Sequence, residues 1–344
     1  MTATIYDIAK KAKVGIGTVS RVLNKHANVS DATRKRVLKI VTKMNYKPHP
    51  FAIGLARQRT NSILFVIPFF ATFFFLEILR GIQKQLAGND VTIILLGVNH
   101  PDQIEETLRQ SIHRHRVDGI VFCSMKMHDY LADSQMFHKV PIVLVDTYHK
   151  NFDSISVNNK QGAYLATKHL LDLGHTRIAI LNANLRSVPA NERFKGYQLA
   201  IKESCKILDP DLIIKTKSEY LDGFTRETGY EEMKELLALG SKVPTAVFAA
   251  SDIQAIGALA AITEAGLSCP EDIALIGFDD IELSGPLGLT SMRQPMSEMG
   301  SLTIQRLMER IANPDLIPDH KTYEPTLIVR RTTLHIGKSI QARI

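Results

Sequence analysis

Acidic residues end two of the apolar, β-rich segments of this chain. Asp146 follows one such segment, and Asp279 and Asp280 close another. Carboxylates at strand ends can accept hydrogen bonds from ligand hydroxyls, or serve as acid and base in catalysis. No recognisable spacing of nucleophile, base and orienting group surrounds Asp146, Asp279 or His175, so an enzyme is disfavoured and no catalytic residue is assigned.

Aromatic and cationic residues accompany these acids. Residues 69–75 include five phenylalanines, and Phe74 and Phe75, nearest the start of the next predicted helix, are the best pocket candidates. Arg193 begins another predicted helix, and its planar guanidinium can grip two ligand oxygens. This combination suits a sugar or polyol, because aromatic faces pack on CH groups and charged groups fix hydroxyls. It would equally suit a purine or a small carboxylate.

Basic residues are concentrated near the N-terminus. Residues 1–60 contain thirteen Lys and Arg but only two acids, an excess of eleven positive charges, whereas the whole chain carries a net charge of +7. The remainder of the chain is therefore net acidic. A basic excess confined to one segment favours a contact with a polyanion over a merely solvated surface.

Short amphipathic helices are predicted within this basic segment over 5–12, 16–24 and 31–45, with Ser30 as the N-cap of the third. Two helices separated by a tight turn are typical of a helix-turn-helix, whose second helix enters the DNA major groove. The residues left on the outer face of that second helix are Ile16, Gly17, Thr18, Ser20 and Arg21.

Beyond residue 61 apolar strands alternate with helices. Strands are predicted at 63–67, 91–96, 119–122, 141–145, 177–181, 212–214, 246–249 and 273–277, and the first helices near 75–87, 102–114 and 129–137. Continuous apolar strands between helices predict parallel sheets covered on both faces, and two successive rounds predict two doubly wound halves. Neither a Walker motif nor a glycine-rich dinucleotide fingerprint follows a strand, so nucleotide binding has little support.

Composition narrows the class of protein. The chain has 344 residues, of which 45% are hydrophobic and 22% charged, as in ordinary soluble proteins of two or three domains. We see no apolar signal-peptide segment, and the longest apolar run, 63–76, is too short to span a bilayer. The three cysteines form neither a disulfide framework nor a metal-binding pattern. We therefore expect a cytoplasmic protein with no membrane contact, no metal and no cofactor.

Specific motifs connect this chain to a known family. Asp7-Ile8-Ala9, Thr18-Val19-Ser20-Arg21-Val22-Leu23-Asn24 and Tyr46-Lys47-Pro48 resemble the DNA-binding headpiece of the LacI/GalR repressors, and Glu192-Arg193-Phe194-Lys195-Gly196-Tyr197 and Ile276-Gly277-Phe278-Asp279-Asp280 resemble their effector core. The resemblance implies an α/β fold with an N-terminal helix-turn-helix headpiece plus two doubly wound parallel-sheet lobes of the periplasmic-binding-protein-like type. The implied domains are the helix-turn-helix at 1–47, a hinge helix and linker at 48–61, an N-terminal lobe at 62–159 with 295–321, a C-terminal lobe at 160–294 with 322–335, and a tail at 336–344.

The resemblance also assigns DNA contacts. Those on or just after the recognition helix are Ile16, Gly17, Thr18, Ser20, Arg21 and Asn24. Leu55 matches the hinge leucine that wedges between base steps, and Ala56 beside it allows close approach. Two departures from the family matter: Lys13 stands where Gly is usual, and Gly15 where Ser is usual.

An effector pocket is implied between the lobes, at the carboxyl ends of strands. Its assigned residues are Phe74, Phe75, Asp146, Arg193, Phe224, Ser251, Asp279 and Gln294. The alternative interpretation of Phe224 is an ordinary position in the hydrophobic core. We expect Arg193 and Asp279 to lie close together, Asp252 to cap the helix that starts there, and the second acid of the Asp279–Asp280 pair to cap the next segment. The chain should cross between lobes near 159, 294 and 321.

These features predict a sequence-specific DNA-binding transcriptional repressor controlled by a small effector that changes the angle between the lobes. A homodimer is expected, because the tail lacks the apolar heptads of a tetramerising segment. A transport-type periplasmic solute-binding protein is the main rival, disfavoured by the basic headpiece and the absent signal peptide. Control by a phosphoprotein corepressor bound to the helix at 75–87 is left open.

Overall fold

The computed structural model describes residues 5–23, 28–44, 60–68, 73–98, 104–115, 117–135, 137, 140–185, 187–205, 207–214, 216 and 223–334. The chain divides into two compact units, Met1–Thr60 and Asn61–Ile344, each described here by itself.

The first unit is a helix-turn-helix with a third helix packed against it. Its helices are α1 (Ile5–Ala12), α2 (Ile16–Leu23) and α3 (Asp31–Lys43). Their apolar faces meet in a small core around Ile8, Val19 and Val37, as the helical spacing predicted. Ser30 is the N-cap residue of α3, as predicted, but it makes no side-chain cap hydrogen bond; its hydroxyl donates to Thr33 Oγ1 at 3.0 Å.

The second unit contains two sheets flanked by helices. The strands, in chain order, are β1 (Ser62–Ile67), β2 (Thr92–Gly97), β3 (Gly119–Cys123), β4 (Ile142–Val145), β5 (Asp153–Val157), β6 (Ile178–Leu181), β7 (Ile213–Ile214), β8 (Ala246–Ala249), β9 (Ala274–Asp279), β10 (Thr290–Arg293), β11 (His320–Tyr323) and β12 (Thr326–Ile328). The helices are α4 (Phe73–Leu86), α5 (Ile104–His115), α6 (Asp129–Ala132), α7 (Asn159–Asp172), α8 (Val188–Glu203), α9 (Arg226–Leu237), α10 (Asp252–Glu264), α11 (Ser284–Leu287) and α12 (Met296–Ala312).

The two sheets have matching orders. The first is β11-β5-β4-β3-β1-β2, with parallel pairs throughout, and the second is β12-β10-β9-β8-β6-β7. Strands β3, β4, β6, β8 and β9 are buried along their whole length, so both faces of each sheet are covered as predicted. The chain passes from the first sheet to the second after β5, returns after β10, and passes across again between β11 and β12.

Three features differ from the sequence pattern. Strand β12 runs antiparallel to β10, although the apolar runs predicted parallel pairing only. The helix predicted at 129–137 ends at Ala132, because the next turn tightens and the amide of Ser134 donates to the carbonyl of Leu131. Strands β5, β10, β11 and β12 were not predicted, since they are short and mix polar with apolar residues.

Helix α12, which follows the second crossing, packs back on α4 through glycines. A Cβ atom at Gly81 would lie 1.9 Å from the carbonyl oxygen of Ser297, and one at Gly300 would lie 2.0 Å from that of Ile78. Both positions therefore exclude any side chain, and the two helix backbones touch. Within the described residues, no helix is long and apolar enough to cross a membrane.

Candidate functional site

Polar residues with left-handed backbone conformation end several strands at one edge of the second unit. Ser124 follows β3 with φ 56°, Asp146 follows β4 with φ 55°, and Asp279 closes β9 with φ 121°. Positive φ is costly for residues with a Cβ atom, least so for Asp and Asn in the αL region. Such conformations recur where a side chain must be aimed at a ligand. These turns direct the three side chains into the space between the sheets.

That space is a cavity of about 40 Å³, which we name the inner chamber. Its walls come from both sheets and the helices that follow them. Its lining residues are Phe73, Phe74, Phe75, Ser124, Asp146, Pro189, Arg193, Phe224, Ser251, Ile253, Asp279 and Ile281.

Arg193 occupies the centre of the polar wall and is 3% exposed. Its Nε donates to Oδ1 of Asn159 at 2.8 Å, and its Nη1 donates to the carbonyl of Ala250 at 2.5 Å. Nη1 also lies 3.5 Å from Oδ1 of Asp279, so the expected proximity of Arg193 and Asp279 is present. The guanidinium lies 3.8 Å from the ring centre of Phe278, which adds a cation–π contact.

Two buried amides extend this network to the interlobe crossings. Asn159, the first residue of α7, donates its Nδ2 to Oδ1 of Asp146 at 3.0 Å while accepting from Arg193. Gln294, the residue after β10, donates its Nε2 to Oδ1 of Asp279 at 2.6 Å. Each amide lies where the chain passes from one sheet to the other. The charged groups of the chamber are therefore tied directly to two of the three crossings.

Burial shifts the pKa values of the charged groups that line the inner chamber. It raises the pKa of Asp146 against the opposing pull of Arg193 and of the Asn159 hydrogen bond. It likewise raises the pKa of Asp279, although Arg193 and Gln294 favour the carboxylate. Burial lowers the pKa of Arg193, while Asp279 and Asp146 favour its charged form. The chamber thus holds more buried carboxyl groups than cations to match them.

Asp252 does not cap α10, contrary to the sequence expectation. Ser251 is the N-cap instead, and its hydroxyl oxygen accepts from the amide of Gln254 at 3.3 Å. Asp252 is fully buried and accepts from the hydroxyls of Ser284 and Ser291 at 2.5 and 2.6 Å. It therefore holds the segment after β9 in place, and burial followed by repulsion from Asp279 raises its pKa.

Asp280 does not cap the segment after β9 either. One of its carboxyl oxygens lies 2.7 Å from Nε of Arg293, and the other lies 2.7 Å from Nη1 of Arg330. The Asp280 carboxylate is therefore held between two guanidiniums. Asp279 therefore faces the chamber, whereas Asp280 pairs with cations outside it.

Most of the residues assigned to the effector meet in one place. Seven of the eight line the inner chamber, and Gln294 lies one hydrogen bond behind Asp279. Phe224 lies at the chamber wall, half-buried, 5.5 Å from the Arg193 guanidinium. Contact of any of these residues with an effector stays a prediction.

Sequence reasoning missed some lining residues. Phe73 belongs to the phenylalanine run that was noticed, and Ser124 follows its strand just as Asp146 does. Those two could have been found from position alone. Pro189, Ile253 and Ile281 carry no such signal, because apolar residues of this kind also fill ordinary cores. In the described part of the chain, no group of three or more His, Cys, Asp or Glu could hold a metal ion.

The residues assigned to DNA contact on α2 belong to the first unit. Ile16, Gly17 and Arg21 are exposed on α2, whereas Thr18 and Ser20 are half-buried. A Cβ atom at Gly17 would meet only the tip of Arg21, at 3.9 Å, so the start of the helix is open. Lys13, in the turn, has φ 52°, which explains why a glycine would suit that position. Asn24, Leu55 and Ala56 lie outside the described residues, as do the hinge at 48–59 and the tail at 336–344.

Comparisons with known proteins match segments of both units. Residues 4–49 match the family described as bacterial regulatory proteins, lacI family, and residues 167–333 match the periplasmic binding protein-like domain. The HTH-type transcriptional repressor PurR of Mannheimia succiniciproducens is 36% identical over 343 residues, covering 97% of this chain and 100% of that protein. The ribose operon repressor of Haemophilus influenzae is 33% identical over 335 residues, covering 96% and 98%.

Solved structures extend the likeness to the fold. The lac repressor dimer bound to operator and the anti-inducer ONPF matches with a TM-score of 0.80 at 26% identity, covering 97% of this chain and 100% of that one. The CelR–cellobiose complex matches with a TM-score of 0.69 at 29% identity, covering 96% and 99%. Proteins of this kind regulate transcription by binding DNA and are not enzymes. The chain belongs to the LacI family of bacterial regulators, as a DNA-binding transcriptional repressor controlled by a small-molecule effector.

Proposed function

We propose that the effector is a small neutral sugar or polyol that binds in the cleft between the sheets, with Arg193, Asp146 and Asp279 of the inner chamber holding its hydroxyls. The observation that carries this proposal is the charge balance of the buried groups. Asp146, Asp279 and the adjoining Asp252 are buried with Arg193 as the cation among them. An excess of carboxyl groups opposes a phosphate or carboxylate, whereas carboxylates accept hydrogen bonds readily from hydroxyls.

The apolar walls support a ring-shaped ligand. Phe73, Phe74, Phe75 and Phe224 line the chamber, and aromatic faces pack well on the CH patches of sugar rings. Among the relatives, the ribose operon repressor and the CelR–cellobiose complex have sugars in their names. Several others are named PurR, so a neutral purine is the second candidate.

In this proposal, effector binding changes the affinity for DNA through the segments that cross between the two sheets. A ligand that accepts a hydrogen bond from Arg193 and donates one to Asp279 competes with Asn159 for the guanidinium and with Gln294 for the carboxylate. Those amides lie where the chain passes between the sheets, so occupancy changes the preferred angle of the lobes. Such control requires only that the ligand bind one lobe arrangement better than the other.

The test of the pocket is calorimetric titration with D-ribose, D-glucose, D-galactose and hypoxanthine. We expect a sugar to bind the wild type, and Arg193→Ala to weaken it at least tenfold. Arg226→Ala is the control, because that arginine is exposed and pairs with the neighbouring Glu227. Unchanged sugar affinity in Arg193→Ala would remove Arg193 from the site. Binding of hypoxanthine alone would favour the purine.

The proposed DNA contacts are Ile16, Gly17, Thr18, Ser20, Arg21 and Asn24, with Leu55 and Ala56 in the hinge. Binding through the basic segment should weaken steeply with salt, because its cations displace condensed counterions from DNA. Arg21→Ala should relax base choice by about 1–3 kcal/mol if it reads a guanine. Fluorescence anisotropy with a duplex selected from random sequences measures both, with Lys84→Ala as the control outside the headpiece. A salt-independent affinity would contradict the assignment.

The assembly and its partners complete the proposal. We infer a homodimer acting in the cytoplasm, where operator DNA lies, as the lac repressor in the operator complex is a dimer. Sedimentation of the full chain tests it, and a monomer at micromolar concentration would contradict it. A phosphoprotein corepressor on α4 stays a prediction, tested by adding phosphorylated carrier protein to the same experiment.

A further inference from the structure

A basic groove of about 440 Å³ runs along α8, where that helix packs on the start of α7. We name it the lysine groove. Its lining is Lys160, Lys195, Gln198, Leu199, Lys202 and Leu208. None of these described residues also lines the inner chamber. The lysine groove is therefore a surface separate from the effector pocket.

The lysine groove is formed by helix packing. Four of its lining residues lie on α8 at positions 195, 198, 199 and 202, and this spacing of three and four places them on one face of the helix. A glycine brings α7 up to that face. A Cβ atom at Gly196 would lie 2.1 Å from the carbonyl oxygen of Lys160, so the two helix backbones touch. The lysine at the start of α7 is thereby fixed beside the lysines of α8.

The segment after α8 adds apolar surface to the lysine groove. Leu208 lines it, half-buried, and its neighbour Ile207 is 93% exposed. This segment is held at both ends. The amide of Cys205 donates to the carbonyl of Lys202 at 3.1 Å, and the carboxylate of Asp209 pairs with a cation on the preceding strand segment, again at 3.1 Å. Apolar side chains held at the surface in this way mark a candidate contact for another molecule.

Positive charge dominates the lysine groove. All three charged residues of its lining are lysines, and all three are exposed, although the chain beyond residue 60 is net acidic. Two acids of α8 adjoin the groove, and each has a partner: Glu192 pairs with Lys195 at 2.7 Å, and Glu203 accepts from the hydroxyl of Tyr164 at 2.8 Å. Within the described residues, the other two lysines form no ion pair, so they are open to an acidic partner.

The chemistry of the lining favours a peptide over a nucleic acid. Unpaired bases bind by stacking on aromatic side chains, and none of the described lining residues is aromatic. A phosphate backbone would pair with the lysines but would make no use of Leu199 and Leu208. A peptide that carries both carboxylates and an apolar side chain would use both kinds of residue.

We propose that the lysine groove docks an acidic segment of a partner protein. An apolar side chain of that segment lies between Leu199 and Leu208, and its carboxylates pair with Lys160 and Lys202. This contact goes beyond the proposed function, because it depends neither on the effector nor on the DNA contacts. A regulator with such a surface brings a second protein to the DNA that it binds.

The experiment titrates a labelled synthetic peptide, Asp-Glu-Leu-Asp-Glu-Leu-Asp-Glu, with the full-length protein and follows fluorescence anisotropy. Unlabelled duplex DNA occupies the basic headpiece, which would otherwise attract the peptide. We expect the wild type to bind, and the double variant Lys160→Ala with Lys202→Ala to bind about fivefold more weakly, the loss expected from two exposed ion pairs. Lys168→Ala is the matched control, because this exposed lysine of α7 pairs with Asp172 outside the groove. It should leave the affinity unchanged.

Two further comparisons test the apolar part of the contact. A peptide with serine in place of each leucine keeps every charge and should bind about fivefold more weakly, because it has no apolar side chain to bury. Leu199→Ala should weaken the leucine peptide but not the serine peptide. The melting temperature of this variant is measured alongside. The serine peptide tests the same point on the wild type, so a loss of folding in Leu199→Ala leaves the proposal testable.

Several results would overturn the proposal. They are an absence of binding by the wild type, equal affinity for the leucine and serine peptides, and an equal loss of affinity in Lys168→Ala and in the double variant. The last would show a general attraction of charges and not a groove. Displacement of the peptide by duplex DNA added beyond saturation of the headpiece would identify a nucleic acid as the occupant. None of these results bears on the effector, so the proposed function is tested separately.

Discussion

The recognition helix and the inner chamber present their functional residues in opposite ways. On α2, Ile16, Gly17 and Arg21 are exposed, and a Cβ atom at Gly17 would meet only the tip of Arg21, at 3.9 Å. In the chamber, Arg193 is 3% exposed and is bonded to partners 34, 57 and 86 residues away in sequence. The first site is a surface added to a small core, whereas the second is part of the core itself.

This difference predicts how each site responds to substitution. An exposed reading residue can be exchanged without disturbing the fold, so DNA specificity can change independently of stability. A buried charge belongs to a network whose other members lose a partner when it is removed. Effector recognition and stability should therefore be coupled in the chamber and separate on the headpiece.

The largest difference in unfolding free energy is expected between two Arg-to-Ala variants, Arg193→Ala in the chamber and Arg21→Ala on α2. Losing Arg193 leaves Asp146 and Asp279 buried without their cation, which should cost about 3–5 kcal/mol of unfolding free energy. The loss should be greater at pH 8 than at pH 5, because the raised pKa values of both acids mean that stability falls as rising pH ionises them. Arg21→Ala should stay within about 0.5 kcal/mol. Urea unfolding of the full chain measures both, and equal losses would refute the contrast.

Glycine-to-alanine changes make a second matched pair. Gly81→Ala forces a Cβ atom into the carbonyl of Ser297, 1.9 Å away, and should cost about 1–3 kcal/mol through overpacking of α4 on α12. Gly17→Ala meets open space on a helix and should gain about 0.5–1 kcal/mol. Hydrogen exchange across each element reports the two effects separately. A destabilising Gly17→Ala would show that the headpiece surface is more tightly constrained than its exposure indicates.

A buried acid away from the chamber separates burial from ligand binding. Burial, and then the nearby Glu235, raise the pKa of Glu232 on α9 to about 9 from an ordinary 4.5. Because the folded protein holds this proton more tightly, stability is lost as pH rises from about 4.5 to 9. Glu232→Gln removes the titration and should stabilise by about 1–2 kcal/mol at pH 8 but not at pH 4.5. Thermal unfolding at both pH values measures this, with the exposed Glu231→Gln as control; equal shifts at both would exclude the burial effect.

The smallest effect concerns the turn before the recognition helix. Lys13 has φ 52°, so Lys13→Gly relieves a left-handed conformation and should stabilise the headpiece by up to about 1 kcal/mol. Lys11→Gly, in the exposed face of α1, loses the same charge from a helical position and should cost about 1 kcal/mol. Amide exchange over residues 5–44 of the full chain compares them. Opposite signs are expected, and a loss in both would mean that charge, not backbone conformation, dominates.

The elements that sequence patterns predicted well are those stabilised by local periodicity. The strand predicted at 246–249 is β8, and the three helices of the first unit begin at the residues predicted. The strands next to the crossings were missed, because they are short and mix polar with apolar residues, and β11 and β12 pair with strands distant in sequence. The roles of Asp252 and Asp280 were misassigned for a related reason. Their partners, including Ser284 and Arg330, lie too far along the chain to be found from local capping rules.

Local patterns in the sequence were enough to predict the basic headpiece and the alternation of apolar strands and helices. Charge and hydrophobic spacing act over a few residues and can be read directly. Only the tertiary structure decided that Asn159 and Gln294 join the charged groups of the chamber to the crossings. It also decided that the buried charges and the phenylalanine rings line one small chamber between the sheets. Burying a polar group costs free energy unless a partner forms a hydrogen bond to it. Here those partners come from segments distant in sequence, so the packing of the whole fold determines them and no single segment does.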